Sequence, residues 1–149
     1  MNGKYIIAVS GASHTGKTST IQGLIKRLGL QIQPGRSKDW LAYGPYCGIT
    51  VAAGCRGDKY ADVEENVEFG IKVNAEIIVT AVRSGDAEIK ELKQYAGYEV
   101  IAVLRHQLAD KDVNNNSALG TILGNIWDKL IDRCVDDIVD TIDVLIAKG

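Results

Sequence analysis

The chain has 149 residues, of which 46% are apolar and 24% are charged, and its formal net charge is −2. These values are typical of one globular domain, and they exclude a disordered or collagen-like chain. No apolar run approaches the length of a membrane span, and the N-terminal apolar run is too short for a signal peptide. We therefore expect a single cytoplasmic domain over residues 1–149, with no membrane partner.

The two parts of the chain carry opposite charge. Residues 1–59 hold eight basic and two acidic side chains (+6), whereas residues 60–149 hold nine basic and seventeen acidic ones (−8). An acidic chain without a long basic block is a poor binder of nucleic-acid backbones, and a compact anion such as a nucleotide phosphate suits the basic N-terminal part better. The three cysteines lack CxxC spacing, so neither a disulfide framework nor a zinc site is supported.

Apolar runs alternate with amphipathic segments along the chain. The pattern predicts strand 4–10, helix 18–28, strand 48–53, helix 61–74, strand 76–82, helix 86–96 and strand 98–104. Residues 30–46 contain two prolines and two glycines, and we expect an irregular segment there with room for one short strand. The alternation indicates an α/β domain with about five mostly parallel strands and helices on both faces.

The C-terminal part is helical by pattern. Residues 119–145 carry apolar side chains at helical steps, which predicts one long helix or two abutting helices. We expect this stripe to pack on the sheet, and a homodimer formed through the helix is the alternative. The polar residues 105–117 before it are either a lid or a connection.

One motif carries chemistry. Residues 11–18, GASHTGKT, match G-x-x-x-x-G-K-[ST], and they follow a strand and open a helix. Glycines allow backbone N–H groups to converge on an anion, and the helix N-terminus adds further donors. We expect Lys17 to be exposed and to supply charge to phosphate, and the Thr18 hydroxyl to ligate Mg²⁺. The alternatives are a plain glycine turn with a solvated lysine, or a loop for a non-nucleotide anion.

With this motif, the chain resembles the P-loop NTPase superfamily and is most similar to its small nucleotide-kinase-like ATPases. The resemblance implies a three-layer P-loop fold that binds ATP or another nucleoside triphosphate with Mg²⁺. It assigns nucleotide contacts to Gly11, Ala12, Ser13, His14, Thr15, Gly16, Lys17, Thr18 and Ser19.

The resemblance also implies an acid after a buried strand that holds Mg²⁺ and takes part in catalysis. Asp58 is the better match and Asp86 competes with it, and helix capping is the alternative for both. Arg83 follows a strand at the edge where open α/β sheets bind ligands, so we assign it a catalytic contact to phosphate. Arg56 and Arg105 lie in similar positions, and we expect one of the three arginines to matter.

The predicted function is ATP binding with hydrolysis or phosphoryl transfer to a small acceptor. The sequence lacks the D-x-x-G and N-K-x-D motifs of GTPases, and it lacks the arginine-rich lid of larger nucleotide kinases. The alternative is therefore a nucleotide-binding regulatory or assembly module with little turnover, which acts through a protein partner.

Overall fold

The computed structural model describes residues 3–11, 17–35, 39–57, 59–83, 86–104 and 117–148, and these residues form an α/β fold. In chain order the elements are β1 (Lys4–Gly11), α1 (Lys17–Leu28), β2 (Gln31–Ile32), β3 (Leu41–Tyr46), β4 (Ile49–Gly54), α2 (Tyr60–Lys72), β5 (Ile77–Arg83), α3 (Asp86–Leu92), β6 (Tyr98–Leu104) and α4 (Ser117–Lys148).

The strands form one six-stranded sheet in the order β2-β3-β4-β5-β1-β6. Strands β4, β5, β1 and β6 are parallel to one another, whereas β3 runs antiparallel to β4 and β2 antiparallel to β3. The prediction of a mostly parallel sheet is confirmed, and the predicted count of about five strands is one too few among the described residues.

Helices cover both faces of this sheet. Side chains of β1 alternate between the faces, because successive residues of a strand point in opposite directions. Ile7 and Val9 pack in a core with α1 and α4, whereas Ile6 and Ala8 pack in a second core with α2 and α3. The buried runs in β1 and β5 follow from this double coverage.

The long C-terminal helix packs on the α1 side. Its buried residues recur at helical steps and belong to the core that α1 and the sheet share: Val135, Ile138, Ile142 and Leu145. For residues 128–148 the predicted packing of the apolar stripe toward the sheet is confirmed, because its buried side chains share one core with side chains of the sheet and of α1. Helix α4 is one helix rather than two.

Residues 30–46 depart from the prediction of an irregular segment with room for one short strand, because two strands lie there. They contribute β2 and β3, which extend the sheet beyond β4. Pro45 lies beyond Ala42 and Tyr43, the residues of β3 that pair with β2, so β3 forms the sheet edge at the proline. A missing N–H is tolerated at such an edge.

The third helix also ends earlier than predicted. It stops at Leu92 rather than at residue 96. The chain then forms turns, in which the Tyr95 N–H donates to the Leu92 carbonyl, and Gly97 adopts a φ of 87°.

Within the described residues, no helix combines the length and the hydrophobicity needed to cross a membrane.

Candidate functional site

The carboxyl ends of the four parallel strands meet at one edge of the sheet. Gly11 ends β1, and its pairing partner Arg83 ends β5. Gly54 ends β4, and helix α1 begins at this same edge with Lys17 and Thr18. Open α/β sheets bind ligands at this edge, so the fold brings the predicted site residues of three elements together.

Lys17 is the first residue of α1, and its side chain is buried, with 6% of its surface exposed. Its Nζ donates a hydrogen bond to the Val82 carbonyl oxygen at 3.1 Å, near the end of β5. The expectation of an exposed lysine was wrong, because α1 packs on the sheet from its first turn. A buried ammonium needs oxygen partners, which the end of β5 supplies here and which phosphate oxygens can also supply.

Thr18 connects α1 to the end of β4. Its Oγ1 donates to the Cys55 carbonyl oxygen at 3.4 Å, a long hydrogen bond. A hydroxyl that donates its proton to a carbonyl keeps its lone pairs available, so this contact is compatible with a role as a Mg²⁺ ligand. The next residue, Ser19, is exposed on the surface of α1.

Cys55 is fully buried directly beneath this contact. Burial raises the pKa of its thiol to about 12, so the thiol remains protonated at neutral pH and is a poor nucleophile. Its backbone N–H donates to the Trp40 carbonyl at 3.1 Å. The Trp40 ring packs against the core on the α1 side, and the Lys26 ammonium lies 5.6 Å from its centroid.

Arg56 is held by two carboxylates. Its Nη1 lies 3.3 Å from Asp39 Oδ2, and its Nε lies 3.4 Å from Asp62 Oδ1. The sequence singled out Arg56 as a phosphate contact but neither acid. Asp62 also accepts the Lys59 backbone N–H at 3.1 Å, at the start of α2. An acid in the first turn of the predicted helix was the sequence signal for this local role.

Arg83 lies at the strand edge as predicted, with its side chain exposed. Its backbone N–H donates to Glu88 Oε2 at 2.8 Å, which connects the end of β5 to α3. The pairing of Arg83 with Gly11 sets it beside the start of the glycine-rich motif.

A buried polar pair lies beneath the edge, between α2 and the sheet. Asn66 of α2 is 3% exposed and Thr80 of β5 is 0% exposed. The Asn66 Nδ2 lies 2.6 Å from the Arg56 carbonyl, 2.8 Å from Thr80 Oγ1 and 3.4 Å from the Gly54 carbonyl. This pair was not predicted from the sequence. Its signal was Asn66, a polar residue that lies between Val63 and Val67 on the apolar face of α2.

Two glycines bring the loop after β4 close to its surroundings. A Cβ at Gly54 would overlap the Asn66 side chain, and a Cβ at Gly57 would overlap the Ala81 carbonyl. The segment from Gly54 to Gly57, called the β4–α2 loop below, is therefore packed tightly against both α2 and β5.

Several predicted site residues lie outside the described part of the chain: residues 12–16 of the motif, Asp58 and Arg105. Asp86 begins α3, and its side chain is likewise outside that part. Among the described residues, no group of three or more His, Cys, Asp or Glu side chains is arranged to hold a metal ion.

No protein-family model and no curated protein sequence is significantly similar to this chain.

Proposed function

We propose that the chain binds a nucleoside triphosphate, with ATP as the first candidate, together with Mg²⁺ at the carboxyl edge of its parallel strands. Residues 11–19 would form the phosphate site, and the domain would have the three-layer P-loop NTPase fold. The parallel order β4-β5-β1-β6, with the motif emerging from the interior strand β1, supports this proposal.

The observation that carries the proposal is the position of the two ends of the motif. Gly11 is the last residue of β1, whereas Lys17 and Thr18 open a twelve-residue helix. The helix N-terminus offers unpaired N–H groups and the positive end of the helix dipole. Lys17 adds a full positive charge at the same helix end, so its attraction for an anion adds to that of the helix N-terminus.

The residues present allow a division of roles. Lys17 would exchange the Val82 carbonyl for phosphate oxygens, and the Thr18 hydroxyl would hold Mg²⁺ while donating to Cys55. Bound Mg²⁺ would supply positive charge that neutralises the phosphate. Asp58 would be the second acid and Arg83 would stabilise charge on the transferred phosphoryl group. Catalysis would consist of positioning and electrostatic stabilisation.

Replacement of Lys17 by Met tests the proposal. Met keeps the length of the apolar stem in this buried position and removes the charge together with the hydrogen bond to the Val82 carbonyl. Because the packing of the stem is kept, we expect an intact fold. Loss of one charge-assisted contact to phosphate weakens affinity for Mg·ATP by about 10–100-fold. Isothermal titration calorimetry measures this change.

Lys26→Met is the matched control, because Lys26 lies on the same helix but is exposed and contacts Trp40. It should bind Mg·ATP as the unaltered chain does. Equal affinity in the Lys17 variant and the unaltered chain would contradict the phosphate site.

Phosphate release with and without nucleoside and nucleotide acceptors then separates the two functional classes. ADP formation that an acceptor stimulates identifies a kinase, and release without an acceptor identifies an ATPase. Tight binding without turnover identifies the regulatory module, for which the outer face of α4 is the surface to test for a protein partner or a second copy.

A further inference from the structure

The buried amide of Asn66 joins three elements. It lies on α2, and its Nδ2 faces the carbonyl of Arg56 in the β4–α2 loop and the hydroxyl of Thr80 in β5. An amide nitrogen has two protons, so these two short contacts use both, and the Gly54 carbonyl at 3.4 Å is the weaker third partner. A polar group enclosed between apolar layers is costly unless it is paired in this way.

The β4–α2 loop also reaches the proposed phosphate site. Its Cys55 carbonyl accepts the Thr18 hydroxyl, and its neighbour Arg56 carries the carbonyl that Asn66 holds. Thr80 fixes the other end of this connection, because its Oγ1 donates to the Ala81 carbonyl at 3.0 Å. The Gly57 backbone packs against that same carbonyl. The loop is thus held from the α2 side and from the β5 side.

We infer that Asn66 is a positioning residue for Mg²⁺-dependent nucleotide binding, an inference that rests on the proposed function. The direction in which Thr18 donates its proton sets where its lone pairs point, and that direction depends on the Cys55 carbonyl. Asn66 keeps this carbonyl in place by fixing the loop on β5. Asn66 therefore affects the gain in ATP affinity that Mg²⁺ provides. It does not affect the affinity that Lys17 and the backbone of the motif provide without the metal.

The test compares ATP affinity with Mg²⁺ and with a chelator in its place, both measured by calorimetry on the full chain. Asn66→Leu keeps the size and the branching of the side chain, stays neutral and removes both hydrogen bonds. We expect the affinity ratio between the two conditions to fall about tenfold, as the loss of one to two kcal/mol of hydrogen-bonded positioning implies. Affinity for metal-free ATP should change by less than about twofold.

Val67→Ala is the control for a merely structural effect. Val67 neighbours Asn66 in α2 and is fully buried, so its truncation lowers stability without removing a polar contact to the loop. The inference requires that its Mg²⁺ ratio equals that of the unaltered chain. A ratio that falls equally in both variants would show a general loss of stability and overturn the inference.

Gly57→Ala provides an independent variant, which tests whether the position of the β4–α2 loop sets the Mg²⁺ ratio even if Asn66→Leu does not fold. Its Cβ displaces the same loop from the β5 side and leaves the Asn66 amide intact. We expect the same selective fall in the Mg²⁺ ratio, together with faster amide exchange in residues 55–57.

If the ratio of ATP affinities with and without Mg²⁺ is unchanged in each of Asn66→Leu and Gly57→Ala that folds, the role of Asn66 is overturned. The proposed function then still stands. A wild-type ATP affinity that Mg²⁺ does not alter overturns this role and the Mg²⁺ part of the proposed function, and it leaves only nucleotide binding at the motif standing. Failure of the unaltered chain to bind ATP in either condition overturns the proposed function and the inference together.

Discussion

Two charged side chains at the candidate site, those of Arg56 and Lys17, are already engaged with protein groups. The Arg56 guanidinium lies between Asp39 and Asp62, with side-chain exposures of 52%, 47% and 13%. Exposed ion pairs contribute about 0–1 kcal/mol each, so a phosphate can displace one of the acids at little cost. Lys17 differs, because its ammonium is buried. If the ammonium leaves the Val82 carbonyl, it needs another oxygen as its partner, such as one of a phosphate.

A tyrosine far from the site has a pH response that the structure makes testable. Tyr46 donates from its hydroxyl to Asp143 Oδ1 at 2.7 Å, and this hydrogen bond to a carboxylate is the main reason that its pKa rises from 10.0 to about 12. The folded state therefore binds the phenol proton more tightly than the unfolded state does. The stabilisation is complete below pH 10 and is lost as the pH rises through about 12.

Phenolate absorbance measures this shift. The difference between the titrations of the unaltered chain and Tyr46→Phe should show one group with a pKa of about 12. Asp143→Asn removes the charge and should bring the pKa of that group back toward its ordinary value. A Tyr46 titration that is the same with and without the Asp143 carboxylate would exclude the hydrogen bond as the cause.

At the scale of elements, periodic apolar patterns predicted β1, α1, β4, α2 and β5 to within a few residues, because each buries a defined face. The hairpin of β3 and β4 was not predictable in this way. Its two-residue turn, Cys47-Gly48, has φ angles of 49° and 85°. Such turns favour Asn-Gly or Asp-Gly, and a cysteine at a positive φ gives no turn signal in the sequence.

At the candidate site too, features set by local sequence were predicted, whereas features set by packing between elements were not. The spacing of glycine, lysine and threonine predicted where Lys17 and Thr18 lie, because the motif is local in the chain. The contacts of Asn66 join residues of α2, β5 and the loop after β4, so only the packing of three elements brings them together. No local pattern can specify such a network.

The packing of α2 on β5 leads to a prediction that reverses an ordinary helix preference. Gly→Ala within a helix usually stabilises by about 1 kcal/mol. At Gly70, however, an added Cβ would overlap the side chain of Ile78, which is fully buried. We expect Gly70→Ala to lower the free energy of unfolding by about 1–3 kcal/mol, as measured by urea denaturation.

The double variant checks the cause. Ile78→Val removes Cδ1, one of the two carbons that a Cβ at position 70 would overlap, and keeps the other, Cγ1. Part of the loss from Gly70→Ala should therefore be recovered in the pair. If the two changes are simply additive, the overlap between α2 and β5 is not what limits position 70.

At the scale of the whole molecule, the two cores share one sheet, so neither face can lose its packing alone. Ile138 of α4 is fully buried in the core on the α1 side. Ile138→Ala should lower the free energy of unfolding by about 2–5 kcal/mol. Because β1 contributes side chains to both cores, fluorescence and circular dichroism should report one common transition.

Asp136→Asn is the surface control for this variant. Asp136 pairs with Arg27 across α1 and α4, and both side chains are exposed. The change should alter stability by less than about 1 kcal/mol. Two separate transitions in Ile138→Ala would mean that the two faces unfold independently, contrary to the shared sheet.

The interior position of β1 has a consequence for synthesis on the ribosome. Of the six described strands β1 is made first, yet its neighbours β5 and β6 begin only at Ile77 and Tyr98. The β3–β4 hairpin needs only neighbouring residues and can pair early, whereas the apolar segment of β1 must wait for distant partners. Until β5 has emerged, this apolar segment lacks its partners in the sheet, so it is exposed to aggregation and a chaperone can bind it.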